Sequence, residues 1–245
     1  MLKPHMCLVL LSFCRKYALL RFAIVLSLVS LLLNGQSLAQ RKALDIDPVI
    51  QQTAEWCWVA VGEMVLGEHF GYANVNPVGD YQCGIVGLYF GPMSSCYANC
   101  MTCQVPSGTM DSFERMLRYY PVAVGAGHRP LRYRRATGPL DFDHVQTEID
   151  EGRPVVAGIN PASPPWGLVR GFASHAVLVV GYDVDRTGTQ WLIVNDPYPY
   201  SAANAYERAD NRATEPDTGQ HRIRYEKFVA GLHWTYSGYG IEDPN

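Results

Sequence analysis

The 245-residue sequence predicts an α+β fold in which helices come first and strands follow. Three observations carry that expectation. Apolar residues recur at helical spacing in the first half, Val/Ile/Leu-rich runs bounded by turn residues occupy the second, and a Gly, Pro, Ser and Cys-rich stretch separates the first two helices. No repeat period is visible, and the length suits one domain over 40–245, with a helical lobe at about 48–120 and a sheet lobe at about 121–245.

The chain opens with Lys3, Arg15, Lys16 and Arg21, then an apolar run from Phe22 to Leu33, then Ser37-Leu38-Ala39. A basic head, a short apolar core and small residues at the exit read as a signal peptide over 1–39, cleaved after Ala39. An uncleaved anchor is the alternative, but the apolar run is short of the ~20 residues a span needs. The expected protein is therefore secreted or periplasmic, without stable membrane insertion. Removing 1–39 leaves sixteen Lys and Arg against twenty-three Asp and Glu, which argues against a nucleic-acid partner. The one basic cluster, Arg129, Arg132, Arg134 and Arg135, reads as a solvated loop.

Gln40–Pro48 is a short polar lead. Trp58 to Phe70 reads as a helix with Val59, Ala60, Met64, Val65 and Leu66 on its apolar face, closed by Gly67 and Gly71. Residues 72–108 read as loop. Asp111–Tyr120 is a second helix, capped by Asp111 or Thr109 and stopped by Pro121. Phe142–Glu151 is a third, ended by Gly152. Pro154–Ile159, Ala176–Tyr182 and Gln190–Asn195 read as strands, with His221–Phe228 and Trp234–Tyr239 as further ones. Ser201–Gln220 reads as a polar surface excursion.

Five cysteines follow residue 39, an odd number in an oxidising compartment. Cys83, Cys96, Cys100 and Cys103 lie close together, while Cys57 stands alone. The expectation is two disulfides among the four, with the pairing open, and one free thiol. A zinc site is the rival, because Cys100-x-x-Cys103 has ligand-like spacing, but no second such pair accompanies it. No metal or cofactor is expected.

A lone thiol between Trp56 and Trp58, at the start of a helix, has its thiolate favoured by the helix dipole and free N–H groups. Gln51 and Gln52 precede it by six and five residues, so a carboxamide there could converge with the Cys57 N–H as an oxyanion hole. The thiol then needs a base. His175 opens the apolar run Ser174-His175-Ala176-Val177-Leu178-Val179-Val180-Gly181-Tyr182-Asp183. If the following hairpin turns near Arg186–Thr187, residue 197 or 198 lies opposite His175. Asp196 is within two positions, where its carboxylate could accept His175 Nδ1–H.

The segments Gln51-Gln52-Thr53-Ala54-Glu55-Trp56-Cys57-Trp58, Ser174-His175-Ala176-Val177 to Gly181-Tyr182-Asp183, and Val194-Asn195-Asp196-Pro197 resemble the papain-like cysteine peptidases. Within that superfamily the likeness is to secreted bacterial avirulence-effector proteases of Trp-Cys-Trp type and to bacteriocin-leader (double-glycine) peptidases. The resemblance implies a papain-like fold and a peptidase with Cys57 as nucleophile, His175 as base and then acid, and Asp196 as orienting carboxylate. Papain-type spacing selects Gln51 for the oxyanion hole, with Gln52 the alternative. Because papains proper use Asn as the third member, Asn195 is a second candidate for that role. Ala54 stands where papains carry a disulfide cysteine, so the 83–103 cluster must staple this chain differently.

A peptide or protein substrate and a monomer are expected. Gln40–Ile50 is too short to be a folded inhibitory segment, which leaves narrow specificity, compartment or oxidation as the restraint. A transglutaminase, amidase or acyltransferase using the same Cys and His, and a non-catalytic binding module, are the competing functions.

Overall fold

The computed structural model describes residues 39–71, 81–104, 110–124, 129–161, 175–199 and 205–244. Residues 1–38 of the proposed signal peptide lie outside them, as do 72–80, 105–109 and Ser174. Helices α1 (Cys57–Phe70), α2 (Tyr81–Phe90), α3 (Ser95–Ala98) and α4 (Met110–Val124) come first, with a 3-10 turn at Cys100–Thr102. Strands β1 (Gln40–Ala43), β2 (Arg132–Thr137), β3 (Val155–Ile159), β4 (His175–Val184), β5 (Gln190–Asn195), β6 (Thr214–Asp217), β7 (Gln220–Arg224) and β8 (Tyr236–Glu242) form one antiparallel sheet. Its order is β2-β8-β3-β4-β5-β7-β6, with β1 paired to the far half of β4. Helices α5 (Phe142–Asp150), α6 (Ala205–Ala209) and α7 (Tyr225–Gly231) complete an α+β architecture.

The central strands are buried on both faces, so they read as continuous apolar runs rather than alternating ones. Their side chains still alternate in destination. Ala176, Leu178 and Val180 join a core with α1, α2 and α4, whereas Val177 and Val179 join a second core with α5, α6 and α7. The β4–β5 register shifts by one residue between Val179 and Gly181, which returns Tyr182 to the second core. Gln40–Val184 and Thr189–Asn245 form one compact unit. The turn between β4 and β5 is closed by Gly188 N donating to Asp185 O at 2.9 Å.

Several expectations need correction. The polar lead contains β1, whose close approach to β4 needs Gly181, because a Cβ there would stand 2.6 Å from Lys42 O. The stretch 72–108 holds α2 and α3: Tyr81–Phe90 is apolar nearly all round, so no helical period marks it. Pro121 does not stop α4. It removes the N–H that would bond Leu117 O, and Leu131 N takes that carbonyl instead at 3.2 Å. Asp111 lies inside the first turn of α4 rather than at its cap.

The basic cluster is not a loop, since Arg132, Arg134 and Arg135 lie on β2 beside β8. His221–Phe228 divides into β7 and α7, and within 201–220 helix α6 buries Tyr206 completely. The expected disulfide pairs form as Cys83–Cys100 and Cys96–Cys103, and Cys57 is free and buried. Cys100 and Cys103 are thereby committed to sulfur partners rather than to zinc. Among the described residues no helix is long and apolar enough to cross a membrane.

Candidate active site

Cys57 is the first residue of α1. Trp56 precedes it with no side-chain cap, and the Trp56 carbonyl accepts from Val59 N and Ala60 N at 3.0 Å each. The Cys57 N–H therefore sits in the unpaired first turn, at the positive end of the helix dipole. Trp56 is fully buried and donates Nε1–H to Cys103 O at 3.1 Å. The disulfide-stapled segment thus holds the residue immediately before the thiol.

His175 opens β4, paired with Ile159 of β3. Its Nε2 lies 2.7 Å from Asp196 Oδ1, and the Cys57 thiol is near enough to the ring to raise its pKa. With Nε2 turned to the carboxylate, Nδ1 is the nitrogen left for sulfur. This reverses the sequence expectation that Nδ1 would face Asp196. Hairpin register fixes which side chains face each other across the strands, but not the side-chain torsions that choose a ring nitrogen.

Asp196 is fully buried just past the end of β5. Its Oδ1 also accepts Tyr198 N at 2.8 Å, its Oδ2 accepts the Tyr206 hydroxyl at 3.0 Å, and its backbone N–H donates to Gly219 O at 2.7 Å. Gly219 has φ 81°, which the turn before β7 leaves to glycine, and a Cβ there would also press on Asp196 O at 3.1 Å. Burial opposes charge on both members of the His175–Asp196 pair, but each partner stabilises the other's charged form. Asp196 is held below the usual carboxylate range. Despite burial, His175 is pushed up to about 10 by Asp196 and by Cys57.

The two candidate glutamines separate. Gln51 is buried, and its Nε2 donates to Thr53 O at 2.7 Å, the carbonyl that also accepts Trp56 N. The carboxamide is thereby folded against the turn that leads into Cys57, with a second N–H remaining on the same nitrogen. The Gln52 side chain is exposed. Asn195 is buried but committed elsewhere: its Nδ2 donates to Ile46 O at 2.7 Å and its Oδ1 accepts Gln220 Nε2 at 3.0 Å. The structure thus brings Cys57, His175 and Asp196 together and turns Asn195 to other partners.

Sequence reasoning passed over the tyrosines. Tyr198 sets its ring edge-on to His175, with centroids 6.2 Å apart. Tyr206 stacks on the buried His221 at 3.9 Å while holding Asp196. Tyr236 covers Gly158, where a Cβ would stand 2.0 Å from the ring, and its hydroxyl pKa is raised by burial and by the charge of Cys57. Tyr198 alone carried a local signal, as the second residue after Asp196. The others arrive from distant elements. Among the described residues no group of His, Cys, Asp and Glu is placed to hold a metal ion.

The sequence profile of the Peptidase_C39 like family matches residues 43–229. Among solved structures, the proform of the ragweed pollen allergen Amb a 11, a cysteine protease, is 14% identical at TM-score 0.47, covering 83% of this chain and 67% of its own. A candidate C39-like peptidase of Bacillus anthracis is also 14% identical at TM-score 0.47, covering 84% of this chain and all of its own. Recombinant stem bromelain precursor is 13% identical at TM-score 0.46, covering 82% and 68%. The search of curated proteins returned no match.

Proposed function

The chain belongs to the Peptidase_C39 like family of cysteine peptidases, and from that premise we propose that it is a secreted protease that hydrolyses peptide bonds through a Cys57 acyl-enzyme. The observation that carries this reading is the His175 ring, held at 2.7 Å by buried Asp196 on one nitrogen, with the Cys57 thiol at the start of α1 near enough to raise its pKa.

The thiolate of Cys57, paired with His175 imidazolium, attacks the scissile carbonyl carbon, and the C=O electron pair moves to oxygen. The Cys57 N–H and the remaining Gln51 Nε2–H stabilise that oxyanion. As the tetrahedral species collapses, the C–N bond breaks and the leaving nitrogen takes the proton from His175 Nδ1. Neutral His175 then removes a proton from water as the water attacks the thioester, and release of the acid regenerates the thiolate–imidazolium pair. Asp196 keeps Nε2 protonated and aimed throughout, so that Nδ1 exchanges the proton. The two disulfides and the N-terminal apolar run support an exported protein.

Cys57→Ala should abolish hydrolysis of a peptide library while leaving the circular dichroism unchanged, and limited iodoacetamide at pH 6 should modify Cys57 before any other residue. Finding Cys57 oxidised in a disulfide of the active protein would overturn the assignment. Cys57-dependent transfer of acyl groups to added amines, without net hydrolysis, would favour the transglutaminase or acyltransferase reading.

A further inference from the structure

An oxyanion donor works only if its N–H is held where charge develops, and Gln51 lies in a segment between β1 and α1 with no regular secondary structure. Its own backbone N–H is taken by Pro197 O at 2.9 Å. The peptide groups on either side of it are both held by one side chain, that of Gln82 in α2. Gln82 Nε2 donates to Ile50 O at 2.9 Å, and Gln82 Oε1 accepts Gln52 N at 2.9 Å. A carboxamide that takes the carbonyl before a residue and the N–H after it fixes that residue's orientation, much as a pairing strand would.

The second N–H of Gln82 Nε2 donates to Glu63 Oε2 at 3.1 Å. Glu63 belongs to α1, the helix that begins at Cys57. One buried amide, 2% exposed, therefore ties the backbone around Gln51 to the helix that carries the thiol. The next residue, Cys83, anchors α2 through its disulfide to Cys100.

We propose that Gln82 is a positioning residue for the oxyanion hole, setting Gln51 relative to Cys57 without touching substrate. The proposal rests on Gln51 acting as the oxyanion donor in the peptidase reading above. Displacing a reacting group by about 1 Å can cost on the order of 10²-fold, so loss of this clasp should act on kcat.

The test compares two reactions of the same thiol. A peptide aldehyde adds to Cys57 so that the C–S bond forms and the carbonyl electron pair moves to oxygen, which requires the oxyanion hole. Iodoacetamide forms a C–S bond and expels iodide, which does not. Gln82→Met should lower kcat by roughly ten- to a hundredfold and weaken the aldehyde by a similar factor, with KM and the Cys57 alkylation rate each within about twofold of the parent. Gln82→Asn, which keeps the amide one methylene short, should fall between parent and Gln82→Met, and it serves if the Met variant does not fold.

In a Gln51→Ala background, Gln82→Met should cost no further kcat. Aldehyde affinity and alkylation rate falling together would mean a general disturbance of α1, and unchanged aldehyde affinity would mean no role; either overturns the proposal while leaving the peptidase reading standing. A parent protein that alkylates at Cys57 but hydrolyses no peptide would overturn the peptidase reading, and this one with it.

Discussion

At the scale of single residues, the site rests on where one proton is held. His175 is buried, which disfavours imidazolium, yet the Asp196 carboxylate and the Cys57 sulfur push it up to about 10. Because the folded value lies above the ordinary histidine value of ~6.5, the ion pair contributes its full stabilisation below about 6.5. That contribution is lost as pH rises through about 10. The alkaline limb of kcat/KM should therefore fall near pH 10. In Asp196→Ala the limb should move down toward ~6.5, with activity at neutral pH reduced on the order of 10²–10⁴-fold. A pH–rate profile of both proteins checks this. If Asn195→Ala rather than Asp196→Ala moved the limb, the orienting role would belong to Asn195, against its hydrogen bonds to Ile46 and Gln220.

At the scale of elements, the disulfide-bearing segment acts as a brace for the start of α1. Its bridges join residues 17 and 7 apart in interleaved order, and Cys103 O receives the Trp56 indole just before the thiol. In the chain-entropy picture a bridge closing a loop of about 15 residues is worth roughly 3 kcal/mol. The double replacement Cys83→Ser and Cys100→Ser should lower the unfolding free energy by about that much, read by urea denaturation. Reductant should have two effects: low concentrations keep Cys57 a thiol and raise activity, and high concentrations open the bridges and lower the melting temperature. A melting temperature indifferent to strong reductant would contradict the brace.

At the scale of the molecule, one sheet is shared by two cores. The thiol-bearing helix and the disulfide-stapled segment cover one face, and α5, α6 and α7 cover the other. Phe228, fully buried in the second core against Trp234, takes no part in the proposed chemistry. Phe228→Ala should cost about 3–5 kcal/mol through lost burial and the cavity left behind, while kcat measured well below the melting temperature stays within about twofold. Because β4 and β5 have neighbours in both cores, loss of tertiary circular dichroism and loss of activity should coincide on heating. Separate transitions would mean that the sheet does not couple the two cores.

What the sequence determined by itself was whatever local chemistry carries. The end of α1 is written in Phe70 followed by Gly71, with its start read one residue late at Trp58; the central strands are written in their Val/Ile/Leu runs, and the nearness of His175 and Asp196 in the register of one hairpin. Odd cysteine arithmetic left Cys57 as the free thiol. Tertiary structure alone decided the disulfide pairing, the ring nitrogen that meets Asp196, and which of the two glutamines is buried. It also decided the arrival of Gln82, Tyr206 and Tyr236 from far along the chain, and the passage of α4 through Pro121. Periodicity and spacing report which face of an element is buried and what lies a few residues away. A hydrogen bond between elements depends on how those faces pack, and so does a helix that is apolar all round, such as α2; neither leaves a pattern in its own segment.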